Sequence, residues 1–554
     1  MAHPAPHPRF SFFRSVGVVS AAVALSRATG LVREMVMARL FGAGVVNDAF
    51  QVAFRIPNLT RDLFAEGALS SAFVPTFTQY LTHRGKEEAA RLNNAVTAGV
   101  LLVVGTVCGL GVVFSPELVS LIAPGFERVP GKFELAVLLT RIMFPFLLTV
   151  ALAAQAMGVL NASERFGIPA LASTLFNVGS VAIGVAAGAT VGRRFQSGAI
   201  VSMACGVVAG GALQWLWQLP SLGRAGFQWR PRLELRHPGL RQIARLMGPA
   251  ILGNAAVQIN VTVNTNLASS LTDSAGHVLN GPVSWLGYAF RFMQLPLGVF
   301  GVAVASATLP AVSRSAAVER TDEFRVTLAR SLGTVLLLTI PSAAGLAVLG
   351  RSMIGAIYEG GRFLPSDTAQ TARALTCYSV GLAGYAAIKI LAPAFYALGD
   401  ARVPMVVSLA SIAVNLGAAL ALIRWTGLGH AGLALATSLV ALFGAAALFE
   451  TMRRRIGGLE GRALASSAVR IAAASAVMAG ACLVSSAVVH RLAGPAKHVH
   501  LLNAAVSIPL GVLVFGAAAL TLGVPELEAL RTACYTAVRN APRPEVGDSP
   551  ARGR

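Results

Sequence analysis

Ala95-Val-Thr-Ala-Gly-Val-Leu-Leu-Val-Val-Gly-Thr-Val-Cys-Gly-Leu-Gly-Val-Val-Phe-Ser115 runs for 21 residues without a charge. A helix needs ~20 apolar residues to cross a hydrocarbon core of about 30 Å, and there it satisfies its own backbone hydrogen bonds where water cannot. Runs of this kind recur as far as residue 523, and the 554-residue chain is 55% hydrophobic and 12% charged. Soluble proteins carry roughly twice that charge fraction. The chain reads as an all-α polytopic membrane protein.

Working outward from residues 95–115, the pattern gives fourteen spans: 16–41, 46–80, 95–115, 135–160, 168–190, 197–219, 245–270, 283–312, 328–349, 372–396, 404–424, 429–451, 465–489 and 500–523. The second and eighth are long for one crossing and contain Pro57 and Pro296, so a break or kink is expected in each. The Pro- and His-rich start lacks a cleavable-signal pattern, and the first stretch is read as retained. An even span count puts both termini on one side of the membrane. Of the 45 basic residues, 26 fall on that side, including a cluster of six from Arg224 to Arg245, which predicts N-in and C-in.

A weak internal repeat divides the chain further. Gly158-Val-Leu-Asn-Ala-Ser-Glu-Arg-Phe-Gly-Ile-Pro169 leads into a span containing Asn177, and Phe395-Tyr-Ala-Leu-Gly-Asp-Ala-Arg-Val-Pro404 leads into one containing Asn415. The copies are six spans apart and therefore equally oriented, as in parallel repeats related by an axis along the membrane normal. The expected organisation is a tail (1–15), a six-helix bundle (16–222), a basic cytoplasmic loop (223–244), a pseudo-symmetric six-helix bundle (245–455), two further helices (456–523) and a cytoplasmic tail (524–554).

The formal net charge of +21 does not indicate nucleic acid, because the basic residues lie in short loops between apolar runs with no interleaved aromatic patch. The five cysteines are scattered and unpaired in sequence, and they read as packing residues rather than ligands or disulfides. No metal or cofactor motif is read.

The charges inside the spans carry the functional signal. The first two hold Arg27, Arg33, Glu34, Arg39, Asp48, Arg55, Arg61, Asp62 and Glu66, and the eighth holds Arg291 in an otherwise chargeless stretch. An arginine at mid-bilayer depth costs at least about 2.5 kcal/mol, so these residues must face a wet cavity or pair with one another. Asp48, Arg55 and Asp62 repeat every seven residues and share a helix face, with Glu66 four further on. Arg33 and Arg61 lie off such stripes. The alternatives are structural ion pairs and a cavity in which guanidinium groups bind an anion bidentately.

Ser26-Arg27-Ala-Thr-Gly30-Leu-Val-Arg33-Glu34, Phe41-Gly42-Ala43-Gly44, Asp48-Ala49-Phe50, Phe54-Arg55-Ile56-Pro57-Asn58-Leu59, and Leu63-Phe64-Ala65-Glu66-Gly67-Ala68 with Phe73-Val74-Pro75 resemble the opening of the MurJ (MviN) family of lipid II flippases. Ser284-Trp285, Tyr288-Ala289, Arg291 and Pro296-Leu-Gly-Val-Phe-Gly-Val-Ala303 resemble that family's eighth helix, and Gly429-His430-Ala431-Gly432-Leu433-Ala434 the start of its twelfth. The resemblance implies a fourteen-helix member of the MOP superfamily in the bacterial inner membrane. Such a protein moves lipid II, an undecaprenyl-pyrophosphate-linked peptidoglycan precursor, from the cytoplasmic to the periplasmic leaflet by alternating access.

The resemblance places substrate-binding arginines at Arg27, Arg33, Arg61 and Arg291, gating or charge-pairing residues at Glu34, Asp48, Arg55 and Glu66, and a lipid-tail groove in the last two helices. It leaves a coupling cation or the membrane potential as driving force, and gives membrane lipids and the cell-wall synthesis machinery as candidate partners. Some family members carry acids where this chain has Phe290 and Gln294, so a gate built on those carboxylates is not expected here.

Rival readings are less well supported. A drug antiporter for cations should line its cavity with carboxylates, whereas this chain has arginines. An O-antigen or polysaccharide lipid flippase of the same superfamily is the nearer alternative. A polyprenyl-phosphate enzyme needs a carboxylate constellation, but the outer-loop acids Glu117, Glu127, Glu134, Asp273, Glu359 and Asp367 are scattered. No Walker lysine follows the glycine-rich stretches. The chain reads as a transporter, not an enzyme.

Overall fold

The computed structural model describes residues 8–62, 69–190, 197–228, 230, 234, 236–318, 320–494, 498–529 and 531. These residues are overwhelmingly helical, and the only strand-like pairings among them are two isolated bridges, Thr272 with Val278 and Gly360 with Phe363.

The chain opens with α1 (Pro8–Phe41), α2 (Val45–Thr60), α3 (Ser70–His83) and α4 (Gly85–Val113). A short α5 (Ser115–Ile122) and a 3-10 turn (Pro124–Arg128) lead into α6 (Lys132–Met143) and α7 (Phe146–Ala162), followed by α8 (Gly167–Thr190), α9 (Ser197–Leu216) and α10 (Leu219–Arg224). The second half contains α11 (Pro238–Ser269), α12 (Pro282–Pro296), α13 (Val302–Ala317), α14 (Thr321–Tyr358), α15 (Pro365–Ser379), α16 (Leu382–Ala397), α17 (Arg402–Thr426), α18 (His430–Arg455), α19 (Gly461–Ala493) and α20 (Val499–Thr521).

Among the described residues, ten helical stretches are long and apolar enough to cross a membrane, and the pair α15–α16, bent by 44°, makes an eleventh. The three remaining expected spans correspond to α1, to α2 with α3, and to α11. They are helical, and the first two carry most of the intramembrane charge. The break expected near Pro296 is present: α12 ends there, and a π-turn (Leu297–Gly301) precedes α13. A π-turn disrupts the regular i to i−4 ladder locally and commonly marks a functional position.

The described residues form two compact units. The first comprises those within Met1–Phe292, Arg351–Tyr378 and Pro404–Val440. Its apolar core joins Phe73, Phe77, Leu92, Val96, Leu160 and Phe227, with the rings of Phe77 and Phe227 meeting edge-on at 5.4 Å. Helices α8 and α9 approach closely because Gly206 faces the carbonyl of Ser180 and the backbone of Gly184, where any side chain would collide.

Polar side chains in this lipid-embedded unit are stitched across helices. Gln155 on α7 donates to Thr97 on α4 at 2.7 Å. Asn260 and Asn264 on α11 donate to Ser411 on α17 (2.9 Å) and Thr437 on α18 (2.8 Å), and Asn415 donates to Asn264 at 3.1 Å.

The second unit comprises the described residues within Met293–Gly350, Ser379–Val403 and Ala441–Arg554. Helices α19 and α20 form a hairpin fastened by Asn503 donating to Ser486 (2.8 Å) and by the Ser485–Ser507 hydroxyl pair (2.9 Å). Leu337, Ile471, Ala474, Ala519 and Val524 make its apolar cluster. Cys108 and Cys482 are buried, Cys205 is exposed, and Cys534 lies outside the described residues.

Candidate functional site

The site is built on α1, whose path past α8 is set at Gly30: Asn177 lies against this glycine and donates to the carbonyl of Ser26 at 3.1 Å. One turn further on, Arg33 and Glu34 enter a cavity also lined by Phe50, Phe54, Tyr288 and Arg291, with about 460 Å³ of atom-free space that includes its solvent-open part. All of these residues belong to the first unit.

Glu34 is the centre of the arrangement. Its Oε1 lies 2.8 Å from Nε of Arg291 and 3.7 Å from Nη2 of Arg33, while the Tyr358 hydroxyl donates to Oε2 at 3.4 Å. The Arg33 guanidinium also lies over the rings of Phe54 (5.6 Å) and Phe176 (5.3 Å), which fixes its plane through cation–π attraction. Arg33 and Glu34 are 15% and 14% exposed, whereas Arg291 is 50% exposed. Two guanidiniums share one carboxylate, so the cavity carries one uncompensated positive charge. An incoming phosphate could form bidentate contacts to either arginine.

The other sequence-predicted residues are placed elsewhere. Arg27 is exposed on α1 and has no acceptor among the described residues. Arg61 pairs with its chain neighbour Asp62 (3.0 Å), which also accepts from Gln258 at 3.3 Å. Arg55 donates to Thr265 on α11 at 2.5 Å. The stripe of Asp48, Arg55 and Asp62 therefore does not act as one set: Arg55 and Asp62 both meet α11, whereas Asp48 turns to α6 and α12. Glu66 lies outside the described residues. Phe290 packs edge-on against Tyr378, with ring centroids 5.4 Å apart.

Asp48 is fully buried and belongs to a second polar cluster. Its carboxylate accepts from Lys132 Nζ (2.9 Å), Gly281 N (2.8 Å), Ser284 N (3.0 Å) and Ser284 Oγ (2.6 Å). Lys132 also donates to Asn280 at 2.9 Å and lies 4.3 Å from the centroid of the Phe126 ring. The first turn of α12 thus points its free amides at Asp48, the stabilising arrangement for an anion at a helix N-terminus.

Nearby, the end of α1 is tied to the turn after α14. Arg362 N donates to Arg39 O at 2.9 Å, and Arg39 Nη2 donates to Ile357 O at 3.2 Å. Lys132 falls between the expected spans 95–115 and 135–160, and the sequence did not identify it as a partner of Asp48. The available signal was its rarity, since only four of the 45 basic residues are lysines.

A family model described as Lipid II flippase MurJ matches residues 37–503. The lipid II flippase MurJ of Burkholderia cenocepacia is 35% identical over 449 residues, covering 80% of this chain and 84% of its own. A probable lipid II flippase MurJ of Vibrio cholerae is 35% identical, covering 84% of this chain and 87% of its own. Among solved structures, a lipid II flippase MurJ in an inward closed conformation matches with a TM-score of 0.72 at 25% identity, covering 93% of this chain and 99% of that one. An inward-facing MATE multidrug transporter of the MOP superfamily shares the fold at a TM-score of 0.59 and 15% identity, covering 80% of this chain and 95% of that one.

Proposed function

Because the chain belongs to the lipid II flippase MurJ family, we propose that it moves lipid II from the cytoplasmic to the periplasmic leaflet of the bacterial inner membrane. The observation that carries this reading is the cavity in which Arg33 and Arg291 share Glu34. Its charge suits a pyrophosphate rather than an organic cation, which favours a lipid-linked substrate over a drug. On arrival the phosphate takes over the guanidinium donors that Glu34 holds. Arg27 and Arg61 complete the electropositive path, and Arg55 holds α2 to α11. Helices α19 and α20 supply a groove for the lipid tail.

Transport proceeds by alternating access between two six-helix bundles, residues 16–222 and 245–455, with both termini in the cytoplasm. The ties from Arg39 to Ile357 and Arg362, together with the Asp48 cluster, close one end of the pathway and must part in the other state. Complementation tests both the activity and the exchange. In a host depleted of its own lipid II flippase, this gene is expected to restore growth. A disulfide between Arg39→Cys and Arg362→Cys should abolish that rescue, and reduction should return it. No rescue by the unmodified chain would overturn the substrate assignment, and full rescue by the oxidised pair would overturn alternating access.

Orientation is tested separately by labelling single cysteines with an impermeant maleimide. Position 86 is expected to be shielded in intact cells and position 276 labelled. The reverse pattern would invert the topology.

A further inference from the structure

Between Arg291 and Arg314 the sequence holds no charged residue, and between Arg373 and Asp400 it holds one, Lys389. These two stretches meet in the second unit, where α13 packs on α16. Lys389 stands exposed at the edge of a cleft lined by Ala305, Leu309, Val312, Ile390 and Pro393, with about 180 Å³ of atom-free space. Its stem passes the π-turn at Gly301, where an added Cβ would stand 3.7 Å from Lys389 Cδ.

No carboxylate among the described residues pairs with the ammonium. The nearby Thr308 hydroxyl is already engaged, with the carbonyl of Val304 at 2.7 Å and Ser331 Oγ at 2.8 Å. The cleft therefore offers one cationic donor beside an otherwise apolar wall. An ionised side chain in a membrane helix is costly without a counter-charge, and a neutral residue would pack equally well if packing were the only requirement.

We propose that this cleft binds an anionic glycerophospholipid, with its phosphodiester on Lys389 Nζ and an acyl chain along Ala305, Leu309 and Pro393. Charge complementarity selects this occupant. One ammonium matches the single negative charge of a phosphodiester. The cleft lies toward the ends of α13 and α16 that carry Arg314 and lead to Arg402. In the orientation proposed above, the bound lipid therefore belongs to the cytoplasmic leaflet.

The test uses the delipidated full chain in an uncharged detergent, titrated with phosphatidylglycerol or zwitterionic phosphatidylethanolamine. Melting temperature and native mass spectrometry report stabilisation and bound lipid. Phosphatidylglycerol is expected to bind and stabilise, and phosphatidylethanolamine is not. Lys389→Met should weaken phosphatidylglycerol binding about tenfold or more, and Lys389→Arg should retain it. Equal binding of the two lipids by the unmodified chain would overturn the proposal, as would unchanged phosphatidylglycerol affinity in Lys389→Met. Loss of polyprenyl-pyrophosphate binding with phosphatidylglycerol binding intact would also overturn it, by assigning the lysine to the substrate instead.

Discussion

Lys132→Met is expected to be the most destabilising single substitution in the first unit, lowering stability by about 3–5 kcal/mol, the usual consequence of removing one partner from a buried ion pair. The Lys132 and Asp48 side chains are 0% and 1% exposed, so water cannot replace the missing ammonium. The three remaining donors, from Gly281 and Ser284, orient the carboxylate but do not neutralise it. Asp48→Asn combined with Lys132→Met should recover part of the loss, because the amide oxygen still accepts from Ser284 and no charge is left stranded, while the amide nitrogen cannot accept from Gly281 N. The check is the melting temperature of the purified protein in detergent for both single variants and the double. A Lys132→Met protein as stable as the unmodified chain would show that the pair does not hold α2, α6 and α12 together.

Substituting the cavity arginines should give the opposite profile. Arg291→Ala removes a half-exposed guanidinium, leaving Glu34 beside Arg33 and the Tyr358 hydroxyl, so melting temperature should hardly move. Substrate binding should weaken tenfold to a hundredfold, the loss of one charge-assisted contact of about 1.5–3 kcal/mol. Arg33→Ala should weaken binding similarly and also cost some stability, because Phe54 and Phe176 lose the cation packed between them. Lysine should rescue either position only in part, since it keeps the charge but lacks the planar fork. Binding of lipid II to purified variants, measured beside their melting curves, separates these effects. An Arg291→Ala protein that is unstable, and is restored by Glu34→Gln, would make this a structural ion pair rather than a binding site.

The helical membrane fold was legible because hydrocarbon imposes one solution on the backbone, and uninterrupted stretches such as residues 95–115 record it directly. That Arg33, Glu34 and Arg291 need a partner or water was legible for a related reason, since a charge within an apolar run demands an explanation. Which charge meets which was not legible. Asp48 and Lys132 are 84 positions apart, and Tyr358 meets Glu34 across 324. Helical periodicity reports only neighbours three, four or seven residues away. It grouped Asp48, Arg55 and Asp62 on one face, whereas the contacts of each are set by whichever helix packs against it. Arg61 and Asp62 show the converse, an ion pair between adjacent residues that periodicity does not consider.

The asparagine fastening of α11 to α17 and α18 has a consequence for energy coupling. Asn260, Asn264, Asn415, Ser411 and Thr437 are all uncharged, and none gains or loses a proton in the range in which cells live. The grip among these three helices is therefore indifferent to the acidity on either side of the membrane. If a proton gradient drives the cycle, these hydrogen bonds do not carry the proton.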